Sequence, residues 1–85
     1  MTLENAYTYV THNDLAKKLY DDMGLTYNKC MIESDLLNGY LTFNEGFDGN
    51  DYIWYMDESH YAAIRESDGE IIGDPDKLDE LFFGE

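Results

Sequence analysis

Between Tyr40 and Glu70, short runs of aromatic and aliphatic residues alternate with turns built from Asp, Glu, Gly, Asn and Ser. This spacing predicts a small antiparallel sheet with acidic rims. Tyr40 to Asn44 alternates, and Asp51 to Asp57 holds Tyr52, Ile53, Trp54, Tyr55 and Met56, residue types that favour strands. Between them Glu45 to Asn50, EGFDGN, has the glycines and asparagine of a hairpin loop. A two-residue period puts Tyr52, Trp54 and Met56 on one face and Ile53 and Tyr55 on the other. One face must then be core and the other at least partly covered. A turn at Asp57 to Ser59 leads to Tyr61 to Glu66, and Asp68-Gly69 turns the chain again before Ile71 and Ile72. The result is a meander of three to four strands.

Helical periodicity brackets this sheet. Met1 to Val10 alternates enough for a short strand or extended arm. From Thr11, a candidate cap, Leu15, Leu19 and Met23 recur every fourth position with Ala16 and Tyr20 alongside, and Gly24 supplies a stop. The spacing predicts a helix over about 12–23, with Lys17 to Asp21 and Lys18 to Asp22 as ion pairs on its outer face. Leu25 to Ile32 reads equally as a strand or as the link into a helical turn at Ser34 to Asn38, closed by Gly39. Asp74 caps a final short helix over about 75–83, with Pro75 in its first turn, Leu78, Leu81 and Phe82 as its apolar stripe and Gly84 at its end. The class is α+β: a sheet of three to four antiparallel strands, an N-terminal helix and a short C-terminal one, in one domain over 1–85.

Charge changes the picture from fold to function. Nineteen acids face five bases, a net charge of −14, while 44% of residues are hydrophobic and 15% aromatic. Chains that stay disordered combine high charge with few aromatics, so this one is expected to fold despite its self-repulsion. Residues 1–43 carry six acids and three bases, net −3, and residues 44–85 carry thirteen acids and two bases, net −11. Such a surface repels phosphate backbones and anionic lipids, which argues against direct nucleic-acid or membrane binding and for a basic partner. The single cysteine, Cys30, cannot form an intramolecular disulfide and is expected to be a semi-buried apolar residue in a reducing compartment. No basic flank with an apolar run opens the chain, and no run of eighteen apolar residues occurs, so a cytoplasmic protein is expected.

Candidate chemistry is sparse. Counting from Asp68, acids fall at positions one, three, seven, nine and twelve of a calcium-loop pattern, with Gly73 at six. Ile72 at position five offers no side-chain oxygen, and Asp79 stands where the pattern asks for Glu. A solvated turn and helix cap is the better reading. His12 and His60 are isolated and have no set of soft ligands, although His60 beside Asp57 and Glu58 predicts a local acid pair in a turn. Cys30 has no histidine near it in sequence, and there is no serine elbow or phosphate-binding glycine loop. Carboxylates abound, but none is singled out by an apolar setting as a general acid requires. The expectation is a non-enzyme without cofactor or metal.

What remains is the acidic surface: Glu45, Asp48, Asp51, Asp57, Glu58, Glu66, Asp68, Glu70, Asp74, Asp76, Asp79 and Glu80, mostly in turns, strand ends and the exposed side of the last helix. Carboxylates two apart on a strand stand roughly 6 to 7 Å apart, and DNA presents a phosphate about every 3.4 Å along each strand. A folded array of such charges suits a groove built for a phosphate backbone. Phe47, inside the glycine-rich loop, is the candidate exposed anchor among these acids, while Trp54 is expected in the core. In size and charge the chain is similar to small acidic inhibitors, often phage-encoded, that mimic DNA to block restriction enzymes, CRISPR effectors or repair glycosylases. That resemblance implies an inhibitor acting on a basic nucleic-acid-binding protein in the host cytoplasm, as a monomer or homodimer, and assigns no residue roles. The alternatives are an immunity protein or antitoxin that neutralises a basic nuclease toxin, and an acidic accessory subunit without mimicry.

Overall fold

Strand β2 (Asp51–Met56) decides the layering, because it buries Ile53 and Tyr55 on one side and Tyr52 on the other. A strand buried on both sides needs two covers. β2 pairs antiparallel with β1 (Leu41–Glu45) and β3 (Tyr61–Arg65), and β3 pairs with the short β4 (Ile71–Ile72), in the spatial order β1-β2-β3-β4. The register sets Phe43 opposite Ile53 and Ile53 opposite Ile64, while Thr42, Trp54, Ala63 and Ile72 align on the reverse face. The structure is a computed structural model and describes residues 14–84. The expected arm at Met1 to Val10, the Thr11 cap and His12 lie outside the described residues.

Two helices cover the first face. Helix α1 (Asp14–Met23) lays Ala16, Leu19 and Tyr20 on Ile53, Tyr55, Ala62 and Ile64, and helix α2 (Lys29–Leu37) adds Ile32. Helix α3 (Pro75–Phe83) covers the reverse face with Leu78 and Leu81 against Tyr52, Ala63 and Ile72. The α+β class holds, with a four-stranded sheet between helices. α1 ends as expected: Gly24 sits at φ 73°, and the Leu25 N–H reaches back to the Tyr20 carbonyl at 2.9 Å. α3 follows its sequence signals as well, for the Asp74 carboxylate accepts from the Asp76 N–H, Pro75 opens the helix and Gly84 closes it at φ 74°.

Residues 29–37 settle the ambiguous stretch as a full helix, so there are three described helices and not two. Asn28 caps it, accepting from the Met31 N–H at 2.9 Å. Its inward positions, Ile32 and Asp35, include a carboxylate only 5% exposed, and that polar residue breaks the apolar stripe. The Tyr20 hydroxyl of α1 donates to Asp35 at 2.7 Å, joining the two helices inside the core. Burial raises the Asp35 carboxyl above the usual range, although the Tyr20 hydrogen bond opposes the shift. Two other details depart from expectation. Lys18 does not lie against Asp22 but donates to the Gly69 carbonyl at 3.0 Å, tying α1 to the β3–β4 turn. Cys30 is exposed, because Ile32 takes the inward position in that turn of helix.

The hairpin loop after β1 is set by close packing. Gly46 is buried, and a Cβ there would meet Tyr52 Cε1 at 2.8 Å and Asp48 Oδ1 at 2.9 Å. Gly46→Ala is therefore expected to cost about 1–3 kcal/mol in urea denaturation, since the buried Tyr52 ring and the Asp48 carboxylate bonded to it would both have to shift. A cost below about 0.5 kcal/mol would show that the loop relaxes freely, because surface substitutions usually stay within that limit.

Candidate partner-binding surface

The meander sorts the acids. The turns after β1 and after β3 emerge at the same end of the sheet, and the Glu66 N–H donates to the Asp51 carbonyl at 3.0 Å. Glu45, Asp48, Asp51, Glu66, Asp68 and Glu70 are thereby brought to one end. Asp57 and Glu58, in the β2–β3 turn, stand at the opposite end. Asp74, Asp76, Asp79 and Glu80 belong to α3 and its cap, over the reverse face.

At the shared end the carboxylates are held by hydrogen bonds. Asp48 accepts from the Asn50 N–H at 3.0 Å and from the Tyr52 hydroxyl at 2.5 Å. Arg65 Nε donates to that hydroxyl at 3.3 Å, and Arg65 Nη1 reaches Asp68 at 2.9 Å and Glu70 at 2.6 Å. Asp68 also accepts from the Glu70 N–H at 3.0 Å, which fixes its turn. One chain of contacts thus joins both hairpin loops through Tyr52 and Arg65. The Tyr52 hydrogen bond holds the Asp48 carboxyl below the usual range, and the Glu70 N–H, with Arg65, does the same for Asp68. Both remain anions well below neutral pH. Glu66 differs, because it is half-buried and burial raises its carboxyl.

The other two groups have their own fixings. Burial opposes ionisation of Asp57, but bonds from the Ser59 and His60 N–H groups, the Tyr55 hydroxyl and the His60 ring outweigh it and bring the carboxyl to about 2. The expected pair forms, with His60 Nδ1 3.1 Å from Asp57 Oδ1, and Glu58 beside it is exposed. On α3, Asp79 accepts from the Tyr61 hydroxyl at 2.9 Å. Burial and that carboxylate push the Tyr61 hydroxyl up to about 12, so it stays a donor. Asp76 and Glu80 point to solvent.

Phe47 is 75% exposed, yet its loop is not loose, for the Phe47 N–H donates to the Leu81 carbonyl of α3 at 2.8 Å. Trp54 joins the reverse-face core in part. Its ring stacks on Phe82 at 4.2 Å with the planes 1° apart, and Phe83 meets it edge-on at 5.8 Å. The role of Arg65 as hub escaped sequence reasoning, although its position as the lone base between Glu58 and Glu70 was a usable signal. The calcium-like run from Asp68 is a turn, a strand at Ile71–Ile72 and a capped helix. Among the described residues no group of three or more His, Cys, Asp or Glu is placed to hold a metal ion. No helix among them is long and apolar enough to cross a membrane. Compared with protein-family models, curated proteins and solved structures, the chain matches none.

Proposed function

We propose that this protein inhibits a basic nucleic-acid-binding protein of the host cytoplasm by occupying its nucleic-acid site, its carboxylates standing in for phosphates. The observation that carries this reading is the network at the shared end of the sheet, where two acidic hairpin loops are locked together through Tyr52 and Arg65. Carboxylates that hang freely serve solubility well enough. Carboxylates held in place by turn N–H groups lose less entropy on binding and present a fixed spacing. Backbone-bonded anions that stay ionised far below neutral pH share the permanent charge of a phosphate ester.

The test is a pull-down from bacterial lysate with the tagged protein, eluted in steps of salt and repeated with excess duplex DNA. A nucleic-acid enzyme that is retained, released by salt and displaced by DNA is the expected result. A retained partner indifferent to DNA would move the reading to an immunity protein that binds beside a nuclease site. Retention of nothing specific would leave the charge a matter of solubility.

A further inference from the structure

The cover that α3 gives the reverse face is incomplete. It reaches Tyr52, Ala63 and Ile72, with Phe82 on Trp54, but leaves the β1 side of that face open. There Tyr40 is 41% exposed and Met56 is 44% exposed, and the two are joined by the Met56 N–H to Tyr40 carbonyl bond at 2.9 Å. Phe83, 55% exposed, rims the strip from the helix side. A shallow groove lined by Gly39, Tyr40, Thr42, Asn44, Trp54 and Met56 runs along it. Its volume, about 80 Å³, is far below the roughly 300–1,000 Å³ of a small-molecule pocket. It fits one side chain.

Acids border this strip at the β2–β3 turn and on the α3 side. Tyr40 also borders the depression formed with Asp57, Glu58, Ser59 and His60. Beyond Trp54, Tyr61 lies 6.2 Å away ring to ring and carries Asp79 on its hydroxyl. The aromatic floor therefore has anions beside it, Asp57 and Glu58 in the turn and Asp79 on α3.

We infer that this strip is the anchor site for an arginine of the basic partner, carried on an exposed segment that lies across β1 toward α3. The inference rests on the basic-partner reading and adds to it a residue preference and a place. Arginine fits where lysine does not. Its guanidinium is flat, weakly hydrated and able to stack on Tyr or Trp while its N–H groups reach carboxylates at the edge, whereas an ammonium is a compact and strongly hydrated charge. A surface chosen for charge alone would treat the two alike.

Trp54 is the only tryptophan in the chain, so its emission reports on the strip directly. The full-length protein is titrated with arginine-only and lysine-only peptides of about six residues, at about 0.15 M salt, where exposed charges more than a Debye length apart are screened. The arginine peptide is expected to bind at least fivefold more tightly and to change Trp54 emission. Tyr40→Ala combined with Met56→Ala, both exposed, is expected to abolish the preference while leaving the weaker lysine-peptide binding intact. Equal, salt-sensitive binding of both peptides with unchanged emission would overturn the arginine site and leave the basic-partner reading standing. Binding of neither peptide would overturn both. Emission that changes with protein concentration alone would mean that a second copy covers the strip, and would also overturn the assignment.

Discussion

Tyr20→Phe is expected to destabilise the protein by about 2–3 kcal/mol at neutral pH, although it removes a single oxygen and leaves no cavity to speak of. The hydroxyl donates to Asp35 at 2.7 Å, and Asp35 is 5% exposed, so the variant leaves a buried carboxylate without that donor. Stranding a buried charged group costs more than the net worth of the bond that served it. The sign of the pH dependence follows. Burial raises the folded-state carboxyl of Asp35 above its ordinary value of 3.8. Folding therefore favours the protonated form, and this group's contribution is fully present below that value and is lost as pH rises through the folded one. Removing the Tyr20 bond, which opposes the rise, pushes the folded value higher still. The deficit of Tyr20→Phe should be largest near neutral pH and shrink as pH falls through the raised folded-state values, because the unfolded chain is common to both proteins and cancels. Asp35→Asn keeps an acceptor for the Tyr20 hydroxyl and removes the buried charge, so it should match or exceed the parent at neutral pH. Urea denaturation of the parent, both variants and the double variant at several pH values reads the coupling. A Tyr20→Phe deficit that is small, or that stays constant with pH, would mean that Asp35 finds water.

The second large effect concerns where charge sits. Glu45→Gln, Asp51→Asn and Asp68→Asn together remove three charges from the end at which the two hairpin loops meet, and Asn keeps an oxygen for the Glu70 N–H at position 68. On the proposed function, association with a nucleic-acid enzyme retained in the pull-down should slow by roughly tenfold or more and lose much of its salt dependence, while each single change costs little. Asp21→Asn, Asp22→Asn and Glu33→Gln make the same change in net charge on exposed positions of α1 and α2, the helices that cover the other face. That control set should leave the rate within about threefold, because steering depends on charges that face the partner within a Debye length of it. Stopped-flow rates at several salt concentrations decide the matter. Equal slowing by both triple variants would reduce the surface to its net charge and remove the case for mimicry.

Some of this was legible in the residues, for reasons that differ by element. α3 announces itself through Asp74, Pro75 and Gly84, which act locally and mean nearly the same thing in any fold. The strands were legible because β2 is aromatic on both of its faces, and this also implied two covering layers. α2 was not, since its inward face includes Asp35, whose partner is on α1 and fifteen residues away in sequence. A pattern that scores polarity as exposure misreads such a position. The candidate acids were all visible, but as a roll without geometry. Sorting them into one end, the other end and α3 needs the strand order, and recognising Arg65 as the piece that joins two loops needs Tyr52 turned toward it. Phe47, the candidate exposed anchor, is exposed, while the tie of its backbone to α3 depends on Leu81, more than thirty residues later.

Every strand in the sheet pairs with its neighbour in sequence, through the short connections at residues 46–50, 57–60 and 66–70. Zipping up such a sheet requires only the closing of short loops in succession, each cheap in chain entropy, so topology sets no high kinetic barrier. The same charge that opposes compaction also keeps unfinished chains apart. A chain of this kind is therefore equipped to reach its folded shape soon after synthesis and at high concentration, with charge repulsion opposing self-association of its exposed aromatic strip.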